Sequence, residues 1–429
     1  MKKNVELLLP AGNIEKLDYA INYGADAVYM GMVDFSLRSM RKGEIITSDN
    51  LKKAVDIAHS YGKKVYMTLN IYAYDDDIKN LHKNLELIKD AKPDALIVSD
   101  FGILNVLKKE LPQIDIHIST QTNTLNSEAV KFWRDFGATR VILARELSIK
   151  QIAEIKRNVP DIELESFVHG AQCVSLSGRC LLSDYMTHGE RKANHGGCSQ
   201  PCRWKYKLLE ETRPGEYYEI EETARGTHIL STKDLALINY IPRLIEAGVD
   251  SFKIEGRTKS LYYVSAVAKA YRYAIDAYYN GQKPDEQEMF NQLLKIGNRG
   301  YTTGFYLDEQ DHEGYSYDVS KGLAGADFLF EFKDKKENNG KNLYLIKIKN
   351  KVLNGDKIEI ITPDECFETT VNKIYNNTLD EVLDVANTNA EVYIELSNEP
   401  QNYKYALART IGIKRYGNDS ETKTCTQFG

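Results

Sequence analysis

The chain is poor in cysteine, tryptophan and proline: its 429 residues include six Cys, two Trp and ten Pro. No apolar run approaches the roughly 20 residues that span a bilayer as a helix. The apolar stretch behind the N-terminal lysines breaks at Pro10, too early for a signal peptide, so a cytoplasmic protein is expected. No Gly-x-Gly-x-x-Gly follows the first strand-like segment, which leaves a dinucleotide site unsupported. Neither His-Glu-x-x-His nor Gly-x-Ser-x-Gly occurs, so the signatures of a zinc peptidase and a serine hydrolase are missing. Positive charge is not in excess either. The net charge of −6 argues against a protein that coats nucleic acid without specificity.

Charge is nevertheless uneven. Residues 1–280 carry 38 Lys+Arg against 37 Asp+Glu, whereas the remainder carries 18 against 25. The segment Arg179–Lys207 holds six basic and two acidic residues, with His188 and His195 among them. It reads as a solvated loop or as a surface facing an anion or RNA.

Eight short apolar segments lie within residues 5–256: Val5–Leu9, Ala27–Met32, Lys64–Asn70, Ala95–Ser99, Asp115–Ser119, Arg140–Ala144, Glu163–His169 and Ser251–Glu255. Amphipathic helix patterns fill the gaps between the first seven. In Ser48–Tyr61, Leu51, Ala54, Val55 and Ala58 recur at helical spacing, with Ser48 or Asp49 as the expected N-cap and Gly62 as the stop. Joints such as Gly24-Ala25-Asp26, Gly137-Ala138-Thr139 and Gly248-Val249-Asp250 repeat a tight helix-to-strand turn. Eight such units predict an α/β fold, a TIM-type (β/α)8 barrel over residues 1–285. The alternative is an open doubly wound sheet.

After the seventh segment the rhythm fails. Residues 172–227 show no clean helix period, and the insertion is expected on the C-terminal face, where active sites of this fold are built. A Tyr-rich helix over about 260–280 and a connector over 286–325 follow. Alternating segments such as Leu343–Lys349, Asp356–Ile361, Phe367–Ile374 and Glu391–Leu396 predict a small β-barrel domain at 326–416, and the tail 417–429 reads as disordered.

Four of the six cysteines, Cys173, Cys180, Cys198 and Cys202, fall in this insertion with spacing C-x6-C-x17-C-x3-C. In a chain without a secretion signal such a cluster points to a metal site rather than to disulfides. Structural zinc sites usually draw on close C-x2–4-C pairs, and only Cys198/Cys202 qualifies. The irregular spacing favours an iron–sulfur cluster, with zinc as the runner-up. The strand ends supply charged and amide candidates: Arg38, Asn70, Gln121, Arg145, Glu165, His169, Lys253, Glu255 and Arg257. Arginine suits bidentate binding of carboxylates. Lys253 and Glu255 share one strand face and are alternatively a pair inside the barrel. For bases splayed from a single strand, the Tyr-rich helix (Tyr262, Tyr263, Tyr271, Tyr273) and the loop with Tyr301, Phe305, Tyr306, Tyr315 and Tyr317 offer rings, although rings at helical spacing more often pack a core.

The segments Glu165–Cys173, Ser177-Gly178-Arg179-Cys180, Gly197–Arg203 and Phe252–Arg257, together with Leu8–Gly12 and Asp26–Tyr29, resemble the collagenase-like peptidase family U32 over essentially the whole chain. The resemblance implies a choice of activities. One is the peptidase of the family name, with His169 as a base near Ser175 and Ser177 but no nucleophile signature. The other is an oxygen-independent hydroxylase. That second reading implies a [4Fe–4S] cluster on Cys173, Cys180, Cys198 and Cys202, prephenate as a small anionic co-substrate, and a tRNA anticodon loop as partner. The branch with this length implies 5-hydroxyuridine formation at the wobble position. The hydroxylase reading assigns catalytic roles to His169, Glu165, Arg145, Lys253 and Glu255. It assigns substrate contacts to Arg38, Asn70, Gln121 and Arg257. A zinc-bearing, non-enzymatic RNA-binding module is the third class.

Overall fold

The structure is a computed structural model. It describes residues 4–32, 35, 46–173, 175–176, 180–188, 190–191, 193, 197–203, 222–223, 226–227, 232–307, 324–338, 340–412 and 414–415. Arg38 and the 417–429 tail lie outside them.

Eight parallel strands close into a barrel: β1 (Glu6–Pro10), β2 (Ala27–Gly31), β3 (Lys64–Leu69), β4 (Ala95–Val98), β5 (Asp115–Ile118), β6 (Arg140–Ile142), β7 (Glu163–Ala171) and β8 (Ser251–Ile254). Neighbours in sequence are neighbours in the sheet. Closure comes from β8, which pairs in parallel with both β1 (Leu8↔Lys253) and β7 (Ser251↔Glu165). The open-sheet alternative is thereby removed. Strands buried on both faces must be apolar almost throughout, and β1 and β4, buried along their whole length, show this.

Among the described residues six helices cover the outside up to β7: α1 (Ile14–Asn22), α2 (Ser48–Ser60), α3 (Asp75–Ala91), α4 (Phe101–Glu110), α5 (Ser127–Phe136) and α6 (Ile149–Asn158). Asn13, Asp100, Asn126 and Ser148 cap four of them with side-chain oxygens on first-turn N–H groups. The N-cap of α2 is Thr47, one residue before the expected Ser48, because Asn50 Oδ1 accepts the Thr47 N–H at 2.8 Å. Gly137 after α5, and Gly248 after the short helix Ile241–Glu246, turn at φ +104° and +87°, a left-handed conformation that suits a residue without Cβ. No helix among the described residues is long and apolar enough to cross a membrane.

The β/α order is modified after β7. The strand Asp234–Ala236 runs antiparallel to the end of β7 and parallel to Tyr301–Thr302, an addition that the sequence pattern did not indicate. The helix Leu261–Tyr279 packs its buried face on the barrel.

The C-terminal unit is an antiparallel barrel. Going round, Lys357–Ile361 pairs with Leu407–Thr410, then Phe328–Asn338, Lys341–Ile348, Glu391–Leu396 and Cys366–Tyr375, which returns to Lys357–Ile361. Phe330, Ile346, Ile358, Ile360, Val371, Ile374 and Ile394 fill it. Polar contacts lock it to the first barrel. Tyr23 donates its hydroxyl to the carbonyls of Ile361 and Tyr405 at 2.9 and 2.8 Å. Buried Arg409 bonds Glu359, Gln292 and the Tyr262 hydroxyl.

Candidate active site at the barrel mouth

A cavity of about 300 Å³ opens at the C-terminal ends of the strands. Its floor and walls come from β2, β3, β4, β6, β7 and β8 and from the segment after β5, and its rim from the cysteine segment. Of the sequence candidates, Asn70, Gln121, Arg145, Lys253, Glu255 and Arg257 line it, as do Cys173, Cys180, Cys198 and Cys202. Residues far apart in the chain meet here because each barrel strand ends on the same face.

One wall is amide and hydroxyl. Asn70 Nδ2 donates to Gln121 Oε1 at 2.9 Å and Ser99 Oγ donates to the same oxygen at 3.2 Å, which fixes the orientation of the Gln121 amide. The rest of the lining is largely cationic and aromatic. The Arg145 guanidinium lies 3.9 Å from the Phe167 ring centroid and donates to the Ala171 carbonyl at 2.9 Å. Arg257 donates to Thr68 Oγ1 at 3.0 Å and stands 5.7 Å from the Tyr29 ring. Lys253 lies 4.6 Å from the same ring. Glu255 is buried at the cavity edge, its carbonyl taking the Tyr263 hydroxyl at 2.8 Å.

None of the four insertion cysteines is joined in a disulfide. Cys180 and Cys202 are half-buried, Cys173 and Cys198 exposed, and the Leu182 N–H points at Cys180 Sγ at 3.3 Å. Soft donors sharing one cavity wall, one of them already receiving a backbone N–H, fit an iron–sulfur group by donor type. They share a cavity rather than a formed coordination sphere: among the described residues no group of three or more His, Cys, Asp or Glu is drawn together to hold a metal ion.

Two sequence candidates do not reach the cavity. Strict alternation puts His169 on the inward face with Glu165 and Phe167. The pairing of β7 with β8 slips between Lys253↔Phe167 and Ile254↔His169, and such a slip turns a side chain to the other face. His169 is therefore buried outside the barrel among Tyr263, Tyr271 and Tyr301, with ring centroids 5.4–5.8 Å away. Gly170 next to it, at φ +107°, lies so near β8 that a Cβ would sit 2.3 Å from the Glu255 carbonyl oxygen. Glu165 points inward but lies below the cavity, fully buried beneath Lys253. Four of the nine proposed stacking rings, Tyr262, Tyr263, Tyr271 and Tyr306, are buried in the core; Tyr301 is half-buried, Tyr273 is exposed away from the cavity lining, Phe305 lines the cavity, and Tyr315 and Tyr317 lie outside the described residues.

Burial pushes the His169 imidazole from 6.5 down to about 3, and burial with the charges of Arg140, Lys253 and Lys64 also lowers His117. Both are neutral in the folded state and protonatable once unfolded. Depressed folded pKa values contribute stability that is complete above pH ~6.5 and lost as pH falls toward the folded values. The chain is expected to lose stability between pH 6.5 and 3, and His169→Phe to flatten that slope. Denaturant midpoints measured across this range check it; an equally steep slope in the variant refutes the assignment.

Two family models match the chain: peptidase family U32 over residues 12–316 and the peptidase family U32 C-terminal domain over 325–409. The chain belongs to peptidase family U32. The family contains proteins with different names. Over 94% of its length the chain is 39% identical to tRNA hydroxylation protein P of Haemophilus influenzae, covering 95% of that protein. It is 38% identical to tRNA hydroxylation protein P1 of Bacillus subtilis, with 87% of each chain covered. A collagenase of Porphyromonas gingivalis is 35% identical over 71% of this chain and 74% of its own length. The U32 mouth thus combines four thiols, three cations and a locked amide pair.

Proposed function

We propose that this U32 protein is an iron–sulfur RNA-modifying enzyme that converts the wobble uridine of tRNA to 5-hydroxyuridine without dioxygen, with prephenate as hydroxyl source. The observation that carries the reading is the convergence of Cys173, Cys180, Cys198 and Cys202 with Arg145, Lys253 and Arg257 on one cavity. Near full-length similarity to proteins named for tRNA hydroxylation supports it.

The four cysteines would hold the cluster, which when bound supplies one-electron chemistry. Arg145 and Arg257 bind the carboxylates of the co-substrate, since each guanidinium offers paired donors. Lys253, flanked by Tyr29, places a single cation against charge that develops on the reacting molecule. Glu255 is the carboxylate at the cavity edge suited to holding a proton. Asn70 and Gln121 meet the edge of the pyrimidine through their fixed amides. Phosphates of the anticodon loop lie along the basic cysteine segment.

The peptidase reading has less support. Ser175 lines the cavity, but among the described residues no histidine does, and His169 faces away. Deleting the gene and analysing tRNA nucleosides by mass spectrometry tests the proposal. Loss of 5-hydroxyuridine and its derivatives, restored by the wild-type gene, is the expected result. An unchanged nucleoside profile in cells lacking any second copy refutes it. Colourless protein with one zinc per chain and no turnover would instead indicate the binding module.

A further inference from the structure

The interior of this barrel is ionic where barrels of its kind are filled by branched apolar side chains. Arg140 on β6 is 1% exposed and its guanidinium is nearly saturated. Its Nη1 donates to Glu6 Oε1 at 2.6 Å and to Glu165 Oε2 at 2.9 Å, and its Nε and Nη2 reach Glu163 Oε2 at 3.0 and 2.7 Å. Tyr66 and Ser251 hold the Glu6 carboxylate from above and beside it at 2.6 and 3.0 Å. The second oxygen of Glu165, Oε1, takes a hydrogen bond from Lys253 Nζ at 2.7 Å. Lys253 itself lines the mouth cavity. A continuous ladder, Glu163–Arg140–Glu165–Lys253, with Glu6 as a side branch, therefore climbs the barrel axis and ends at the site.

We infer that Glu165 and Arg140 are positioning residues that hold Lys253 as a cation aimed into the mouth cavity. Neither touches the cavity; both act through Lys253. The geometry divides the labour. Glu165 is 0% exposed, so its charge on Lys253 is poorly screened. Arg140 grips the far oxygen of Glu165, which fixes the carboxylate in the rotation that presents Oε1 to Lys253. The surroundings of Lys253 are mixed in sign. Glu165 on β7 and Glu255 on its own segment favour the ammonium and Arg257 opposes it, while Arg140 on β6 adds like charge beyond Glu165 and the neutral His117 on β5 adds none. The Tyr29 ring on β2 and the Phe167 ring on β7 stand 4.6 and 5.6 Å away, and Glu6 on β1 enters through Arg140. Burial lowers the pKa of Lys253 below the usual lysine value despite the pull of Glu165. Glu165 and Glu255 thus support the ammonium against burial, and Glu165, the carboxylate bonded to it, is the one whose removal should lower the Lys253 pKa further.

The role of the cation in chemistry rests on the function proposed above, but its charge state is measurable without turnover. Folded protein is labelled with acetic anhydride across a pH series, and acetylation of Lys253 is read by peptide mass spectrometry. Only the neutral amine reacts, so the labelling midpoint reports its protonation. In Glu165→Gln the midpoint is expected to fall by roughly one to three pH units, and in Glu165→Asp to stay close to wild type. If Glu165→Gln does not fold, Glu6→Gln carries the test: it leaves the Arg140 charge less neutralised and moves the midpoint down by a smaller amount. An unchanged midpoint in the folded variant overturns the inference while leaving the RNA reading untouched. A wrong RNA reading, in turn, leaves the midpoint shift intact.

Discussion

Cys198→Ser is expected to fold like the wild-type chain, to retain no iron and to show no tRNA hydroxylation. Cys198 is exposed at the rim of the mouth cavity, so the change removes no core packing. It does remove a thiolate. A serine hydroxyl stays protonated at neutral pH and is a hard donor, whereas iron–sulfur groups are held by deprotonated sulfur. With three thiolates left, the group is labile rather than merely weakened. Cys366 supplies the control, since it lies on the C-terminal barrel and Cys366→Ser should keep both iron and activity. Anaerobic purification, an iron assay and visible absorbance read the first outcome, and thermal melting confirms the fold. A Cys198→Ser protein with full iron content removes Cys198 from the proposed ligand set.

Arg140→Met should be among the most destabilising single changes in the chain, costing about 3–5 kcal/mol, because breaking a buried ion pair strands its partners. Here the partners are Glu6 and Glu165, both buried, with Glu163 half-buried above the opposite opening of the barrel. The exposed pair Lys79–Asp76 is the contrast: its loss should cost under ~1 kcal/mol. The Arg140 effect also has a pH signature. Burial alone would raise the Glu6 carboxyl, but the charge and hydrogen bonds of Arg140 outweigh it and hold the pKa below 4.5. A depressed carboxyl contributes stability that is present above its unfolded value and lost as pH falls through its folded value. In Arg140→Met, Glu6 is no longer depressed, so the variant should be weakest relative to wild type near neutral pH and the gap should narrow below pH ~4.5. Adding Glu6→Gln should recover part of the loss, as expected for groups that share one network. Denaturant titrations of the single and double variants measure both effects. Additive losses would show that the two residues are not coupled.

Much of this protein was legible from its residues. Eight strand-like segments with intervening helix periods specify a closed barrel, because a parallel strand buried on both faces needs an apolar run and each crossover needs a helix. The four cysteines grouped by their spacing line the same cavity as the strand-end residues. Asn70, Gln121, Arg145, Lys253, Glu255 and Arg257 were found by one rule, that strand ends of this fold face the mouth.

The errors and omissions share a cause. His169 was a candidate because it lies at a strand end, but the face it takes follows the slip in pairing with β8, more than 80 residues away in the chain. Thr47 replaced Ser48 as a cap by a single local hydrogen bond that composition does not specify. Tyr262, Tyr263 and Tyr271 fill a core, as rings at helical spacing more often do. The Arg140 ladder was invisible because its members sit on β1, β6, β7 and β8 and become neighbours only when the barrel closes.

Local chemistry, then, resides in the sequence: which segments become strands, where helices start, and which side chains have thiol, guanidinium or carboxylate groups to offer. Direction and neutralisation were decided by the tertiary structure. A strand's faces, and the partner that keeps a buried charge ionised, depend on residues brought from distant parts of the chain, and only the closed barrel brings them within the few ångströms over which such interactions act.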